Sequence, residues 1–364
     1  DNYTYDSAYS IVQTQYDQFG GSGSTPRNQL NSTYLLDGLG NRREVSNTTT
    51  SSGTNTNLYS VNTMNEYSQI GSSTQAHDAN GNLTDNGTFL FVFDYKNRLV
   101  QVNRKSDGIL VAQYEYDTFN RRVRKKLYDL NNSGLLLSNR RYFYDGWHVI
   151  EEWTADYDDN GPEITYVYGN KTDELISMET STSAPGGQAT YNFHQNARGD
   201  VVAITNNQGS VIEDYRYTDF GIPEQLSTLG NTYLFQGRRY DAETGLYYFR
   251  NRYYDPLTGR FISRDPVWDE ANKGSQYAFV ANGPVSPSDP LGLDGEGTFL
   301  VGEMIGLGKA FVGAVKGVAG SGLIGVAKDK LPKKGTVPGL AAAFIEIELD
   351  PETGKVEILD YLGV

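Results

Sequence analysis

A short strand–turn–strand unit returns along most of this chain at spacings of roughly twenty residues, which marks a repeat architecture. The units read SIVQTQYDQFG, YLLDGLGNRREV, HDANGNLTDNGTFLFVFDYKNRLVQV, YEYDTFNRRVRKKLYD, RYFYDGWHVIEEW, ITYVYGN and YNFHQNARGDVVAITNNQGSVIEDYRYTDFG. In Phe89 to Asp94 and Arg98 to Val102 apolar and polar residues alternate or cluster as in half-buried strands. Asn80-Gly81, Asn86-Gly87 and Asn41 after Gly40 supply hairpin-turn chemistry. A lone hairpin cannot bury its apolar face, so successive hairpins must pair edge to edge into a long curved sheet. The expected fold class is all-β.

Composition agrees. Only 38% of the 364 residues are hydrophobic, while Tyr (27) and Gly (40) are abundant. Aromatic rings pack on a pleated face and glycine supplies positive φ in tight turns. A net charge of −14 argues against nucleic acid as a partner, because phosphate binding needs concentrated Lys and Arg. The one basic cluster, Arg121 to Lys126 (RRVRKK), falls in an alternating pattern and is expected to form a solvated strand face. Without cysteine there is neither a disulfide framework nor a thiol zinc site. The chain opens on Asp1 inside a repeat, with no initiator Met and no apolar leader, and reads as a piece of a longer protein.

Three segments interrupt the repeats. Ser46 to Thr56 and Thr180 to Gln188 are expected to be polar loops, and Asp156 to Pro162 an acidic turn. That turn has candidate calcium ligands in Asp156, Asp158, Asp159 and Asn160 but lacks a downstream bidentate Glu, so it reads as a surface turn. His77, His148 and His194 are far apart, no Gly-rich phosphate loop precedes a helix, and no metal or cofactor is called for. Trp147, Trp153 and Trp268 are expected in the core or lining a shell.

The most specific stretch lies between Tyr233 and Leu293. Arg238-Arg239-Tyr240-Asp241 and Thr244-Gly245-Leu246-Tyr247-Tyr248 lead into Arg252-Tyr253-Tyr254-Asp255-Pro256 and Thr258-Gly259-Arg260-Phe261. Ser263 to Pro266, Asn282 to Val285 and Asp289 to Leu293 follow. This string resembles the RHS-repeat-associated core of Rhs and YD-repeat proteins, a group that includes bacterial polymorphic toxins, the C components of insecticidal toxin complexes and the animal teneurins. Two places depart from the usual pattern, Asn282-Gly283-Pro284 and Ser263-Arg264-Asp265-Pro266. The resemblance implies a division into YD/RHS repeats over residues 1–232, an associated core over 233–293 and a variable C-terminal segment over 294–364. It also implies that the repeats coil into a hollow β-shell, or cocoon, that the core plugs, with further shell upstream of this chain.

In toxin members of that family the core is an aspartyl autoprotease. Carried over residue by residue, the resemblance makes Asp289, in Asp289-Pro290-Leu291-Gly292-Leu293, one catalytic carboxylate and Asp265 the other. It places the scissile bond between Leu293 and Asp294 and offers Arg260 as a third participant. The chemistry asks for one ionised carboxyl to activate water and one protonated carboxyl to donate, states that neighbouring carboxyls divide between them. Spacing alone does not separate such aspartates from turn residues, since Asp255-Pro256 and Asp350-Pro351 are ordinary Asp-Pro turn dipeptides.

Composition changes at Asp294. Gly297 to Lys328 is rich in Gly, Ala and branched aliphatics, with Lys309 and Lys316 on one face of an expected helix. Small-xxx-small spacings at Gly302/Gly306 and Gly313/Gly317 leave membrane contact open, although Glu303 and the two lysines disfavour a simple span. Ala341 to Tyr361 reads as a hairpin around Asp350 to Lys355. Three functional readings follow. The first is the C-terminal shell and plug of a secreted or cell-surface polymorphic toxin that holds its own C-terminal segment as cargo and releases it by self-cleavage. Its outside partners would belong to a cell surface or a secretion apparatus. The second is a non-enzymatic extracellular adhesion or surface protein with the same shell, and the third a glycan-binding surface protein.

Overall fold

One side-chain oxygen organises each of a series of turns. Oδ1 of Asp37 accepts the backbone N–H groups of both Leu39 and Asn41 at 2.9 Å, while the Asp37 N–H reaches the Asn41 carbonyl and the Gly40 N–H returns to the Asp37 carbonyl. The same closure recurs at Asp6, Asn62, Asp78, Asp94, Asp117, Asn196 and Asn206. Asp and Asn mimic a backbone turn in this way. The fourth residue of each turn takes a positive φ and is Gly or Asn at every one of these turns except the first, where Tyr9 has φ 61°.

The computed structural model describes residues 1–16, 29–131, 134–154, 161–184, 187–267, 275–284 and 289–293, together with the strand backbones of Leu323–Ile324, Ala343–Leu349 and Val356–Gly363. Repeats and core form one compact unit, Asp1–Gly297, and Thr298–Val364 a second. In the first unit a seven-stranded sheet runs in strict chain order from Asn2–Tyr5 to Ser73–Thr74, and a thirteen-stranded sheet from Ala76–His77 to Val211–Asp214. Neighbouring strands in both sheets pair antiparallel among the described residues. Among the described residues the only helical pieces are 3₁₀ turns at Phe235–Gly237 and Val280–Asn282.

In a sheet of consecutive hairpins, alternate turns fall on the same margin. The turns at residues 37–41, 62–66, 78–82, 117–121, 169–174 and 196–200 share one margin, and each meets the core segment. Asn282 Nδ2 donates to the Gly40 carbonyl at 2.9 Å, Arg264 Nη2 reaches Glu66 at 2.7 Å, and the Tyr277 hydroxyl donates to the Gly81 carbonyl at 2.7 Å. Tyr248 reaches the Asn120 carbonyl, and the Gln236 N–H meets Asp200 Oδ1 at 2.9 Å. The core segment's own four-stranded sheet, Arg239–Asp241, Leu246–Phe249, Arg252–Asp255 and Arg260–Phe261, is buried almost residue for residue. Its rings, Phe235, Tyr247, Phe249, Tyr254, Phe261 and Phe279, pack together and against repeat residues such as Tyr166, Met178 and Ile204. The core segment is therefore a plug whose aromatic faces complete the hydrophobic interior of the repeats.

Charge also enters this interior. RRVRKK is not a solvated face: Arg122 and Lys125 are buried, and both grip Asp241 of the plug, at 2.5 and 2.7 Å. Arg124 and Lys126 are partly exposed and pair with Glu115, and Arg121, equally exposed, pairs with Asp117. The guanidinium of Arg122 lies against the rings of Tyr114, Tyr142, Tyr248 and Tyr253. A parallel contact joins Arg239 of the plug to buried Glu152 at 2.8 Å. Ser46 to Thr56 also departs from the expected loop. It forms strands Arg42–Thr49 and Gly53–Val61 around a short turn, with cross-strand hydroxyl pairs Ser46–Thr56 (2.7 Å) and Thr48–Thr54 (2.9 Å). β-Branched Thr suits a strand, and its hydroxyls pair across one.

In the second unit Ala343–Leu349 and Val356–Gly363 pair as the expected hairpin. Leu323–Ile324, within the stretch expected to be helical, is a short strand added to it. Lys309, Lys316 and the acidic turn's Asp156, Asp158, Asp159 and Asn160 lie outside the described residues, as does Trp268.

The buried pairs make the fold acid-sensitive. Burial alone would raise the Asp241 carboxyl, but Arg122 and Lys125 hold it down to about 2. Glu152, equally buried, is brought to about 2 by Arg239 and Arg140. Unfolded carboxyls titrate near ~4. The stabilisation is thus complete above that pH and is lost as pH falls toward the folded values. Equilibrium unfolding should weaken between about pH 4 and pH 2. Asp241→Asn takes the carboxylate from buried Arg122 and leaves Lys125 with Glu243 alone, so it should cost ~3–5 kcal/mol at neutral pH and reduce that acid dependence to the part that Glu152 carries. An Asp241→Asn protein with wild-type denaturation midpoints at pH 7 and pH 3 would refute this account.

Candidate active site

The hairpin of strands Leu246–Phe249 and Arg252–Asp255 turns through Arg250 and Asn251, with Phe249 paired directly with Arg252. Arg250 takes a left-handed φ of 61° there. Across this tight turn three consecutive residues hold three consecutive carbonyls of the segment Asp289 to Leu293. Arg250 Nη1 donates to the Pro290 carbonyl at 3.0 Å, Asn251 Nδ2 to the Leu291 carbonyl at 3.0 Å, and Arg252 Nε to the Gly292 carbonyl. Arg238 Nη1 adds a second donor to Pro290 at 3.0 Å, and the Asp289 N–H is taken by Gln236 Oε1 at 3.3 Å. Pro290 has no N–H of its own, so the strap presents carbonyls to a row of cationic and amide donors.

Gly292 is demanded by the local geometry. Its φ is +67°, and a Cβ there would lie 2.5 Å from the Phe249 carbonyl oxygen and 3.4 Å from the Arg252 nitrogen. Any side chain would lift the strap from the hairpin.

Arg252 joins the two sequence-predicted aspartates. Its Nη2 lies 2.9 Å from Asp265 Oδ2 and 3.5 Å from Asp289 Oδ2, while Nη1 donates to the Gln276 carbonyl at 3.1 Å. All three side chains are buried, at 3%, 5% and 1% exposure for Arg252, Asp265 and Asp289. The remaining oxygens are also placed. Asp265 Oδ1 accepts the Val267 N–H at 2.9 Å, and Asp289 Oδ1 accepts the Leu293 N–H at 3.0 Å. A single guanidinium thus brings carboxyls 24 positions apart in the chain into one water-poor site, next to the backbone of Leu293. Asp294 lies outside the described residues.

Arg260, the third residue suggested by the resemblance, points elsewhere. It is buried under the repeats, donating to the Asn65 carbonyl at 2.8 Å and to Asn41, with its guanidinium 3.9 Å from the Tyr67 ring centroid. It ties the plug to the rim. Arg252, Arg250, Arg238 and Asn251 are the site residues that sequence reasoning passed over. Arg252 and Arg238 stood inside quoted motifs, but a chain with several core arginines gives no sign of which one the aspartates share.

Gly292→Ala should therefore loosen the strap without unfolding the shell. Backbone conflict at a positive φ costs at least about 1 kcal/mol locally. Hydrogen exchange of residues 289–293 should accelerate in that variant while the repeat strands keep their protection, and equal protection of the strap would show that the close approach is relieved cheaply.

Against known proteins, residues 2–285 match the family model described as Teneurin YD-shell. The tRNA3(Ser)-specific nuclease WapA of Bacillus spizizenii is 33% identical over 279 residues, covering 74% of this chain and 11% of that protein. Teneurin-3 of Danio rerio is 28% identical over 220 residues, covering 57% of this chain and 8% of that protein. Among solved structures, TcdB2-TccC3 superposes with a TM-score of 0.62 at 21% identity, over 80% of this chain and 16% of that one. The chain thus spans a small part of the length of each.

Proposed function

The chain belongs to the teneurin YD-shell family, and from that premise we propose that it is the closing portion of an Rhs-type polymorphic toxin, which encloses its own C-terminal segment and frees it by hydrolysing the Leu293–Asp294 bond. One observation carries this reading: Arg252 holds Asp265 and Asp289 together beside a strap whose carbonyls are gripped one after another up to Leu293. Further shell upstream and a secreted or cell-surface destination belong to the same reading.

The residues divide the work. Asp265, in the shorter ion pair, takes a proton from the attacking water. Asp289, whose other oxygen already meets the Leu293 amide, delivers a proton to the departing Asp294 nitrogen. Water adds to the Leu293 carbonyl, the C–N bond breaks, and a Leu293 carboxylate and an Asp294 amine result. Arg252 draws the two carboxyls together and offers positive charge to the developing oxyanion. Tethering removes the cost of bringing enzyme and substrate together. The product stays in the site, so each molecule cuts once.

Intact mass spectrometry of the purified protein at neutral pH tests the reading, beside Asp265→Asn, Asp289→Asn and Arg252→Gln. The expected result is a wild-type fragment beginning at Asp294 that is absent from both aspartate variants, with cutting slowed on the order of a hundredfold in Arg252→Gln. Spontaneous acid cleavage would instead break after Asp265 or Asp289. A single uncut mass in every sample would leave the plug a purely structural closure, as the adhesive reading requires.

A further inference from the structure

Outside the carboxyl pair, one half-buried carboxylate of the repeats, Asp173, meets the arginines that hold the strap. Asp173 sits in the turn that joins strands Ile164–Tyr168 and Leu175–Thr180, on the margin that meets the plug. Its backbone is unusual, with φ 57° at a residue other than glycine, and is pinned from two sides. The Asp173 N–H points to His148 Nε2 at 3.4 Å, and its carbonyl accepts Gln195 Nε2 at 3.1 Å. Gln195 also holds the Gly199 carbonyl and the Leu175 N–H. Neighbouring rim turns therefore set where this carboxylate stands.

What it holds is the strap's grip. Asp173 Oδ1 accepts Arg250 Nη2 at 2.5 Å, and Oδ2 accepts Arg238 Nη2. The other terminal nitrogen of each arginine donates to the Pro290 carbonyl at 3.0 Å. Two guanidinium groups, 5% and 7% exposed as residues, thus converge on one carbonyl oxygen. Burial, and next the charge of Arg250, make a cationic Arg238 costly, and burial does the same to Arg250. Like charges so placed separate unless a counter-charge lies between them.

We infer that Asp173 is a positioning residue for self-cleavage, supplying the counter-charge that aligns Arg238 and Arg250 on Pro290 and so making the cut conditional on a closed rim. The plug carries the cutting residues and the repeats carry the latch. A shell whose rim has not closed around the plug lacks Asp173 at the arginine pair, the strap is free to slide, and Leu293 leaves the carboxyls. Cargo is then not released from an unfinished container. This rests on the self-cleavage reading for its consequence, but the positioning itself is a property of the uncut protein.

The test has two readouts. In an Asp265→Asn background, which keeps the strap uncut, Asp173→Asn should raise hydrogen exchange in residues 289–293 by about tenfold or more while strands of the thirteen-stranded sheet keep their protection. In the otherwise wild-type chain, the same substitution should slow appearance of the Asp294 fragment on the order of a hundredfold, the penalty of a small misplacement. Adding Arg250→Gln to Asp173→Asn removes one buried cation together with its lost counter-charge, so it should restore part of both signals. A loop-anchoring role would give additive losses instead. Unchanged strap exchange in Asp173→Asn, or no rescue in the double variant, overturns the inference. Faster strap exchange with rescue, in a protein whose wild-type form never cuts, upholds the positioning and removes the self-cleavage reading alone.

Discussion

The protein is built on one short-range contact, an Asx oxygen that accepts the N–H groups two and four residues later. A sheet this long has to turn many times, and each turn leaves backbone donors without strand partners. The side chain of Asp37, Asp94 or Asp117 takes two of them and fixes the register of the hairpin it closes. The outer oxygen is then free for lateral work. Arg98 uses Asp94 Oδ2 and reaches across to the Asp117 carbonyl of the next turn, and Arg121 uses Asp117 Oδ2 and reaches the Gly146 carbonyl. Local turn closure becomes a continuous rim, and the rim gives the plug a surface to seat on.

Seating is as much electrostatic as hydrophobic. The aromatic faces supply burial, but rings slide over one another with little preference for position. Arg122 and Lys125 on Asp241, Arg239 on Glu152 and Arg260 on Asn41 and Asn65 each permit a single placement. A buried charge that misses its partner costs several kcal/mol, so these contacts penalise misdocking more than they reward docking. Asp219 does the same at the first sheet, where Thr14, Tyr16 and Tyr34 all donate to its buried carboxylate.

What could be read from the sequence follows the range of the forces. Hairpins, turn residues and the all-β class are local, and Gly40, Gly81 and Gly87 showed their positive φ through residue type alone. The resemblance to the associated core named Asp265 and Asp289, which the structure brings to one guanidinium. Long-range pairings were hidden. RRVRKK looks like a solvated face because its counter-charge lies more than a hundred residues downstream. Ser46 to Thr56 looks like a loop because cross-strand hydroxyl pairs have no signature until the register is known. Arg252 could not be chosen over Arg260 for the same reason: both sit in motifs of the associated core, and only packing decides which one meets carboxylates.

On the self-cleavage reading, the position of the strap explains why a plug should carry the cutting residues. A segment that leaves a sealed interior must pass the seal, and there its backbone loses water. Carbonyls in that passage need donors, and the hairpin turn offers Arg250, Asn251 and Arg252 in register with Pro290, Leu291 and Gly292. Those donors satisfy a structural requirement whether or not a bond is cut. Once a cation stands there, two carboxyls gather on it as counter-charges, and the proposed acid and base then lie beside a fixed peptide. On the self-cleavage reading, the same requirement that closes the shell prepares the chemistry to open the chain.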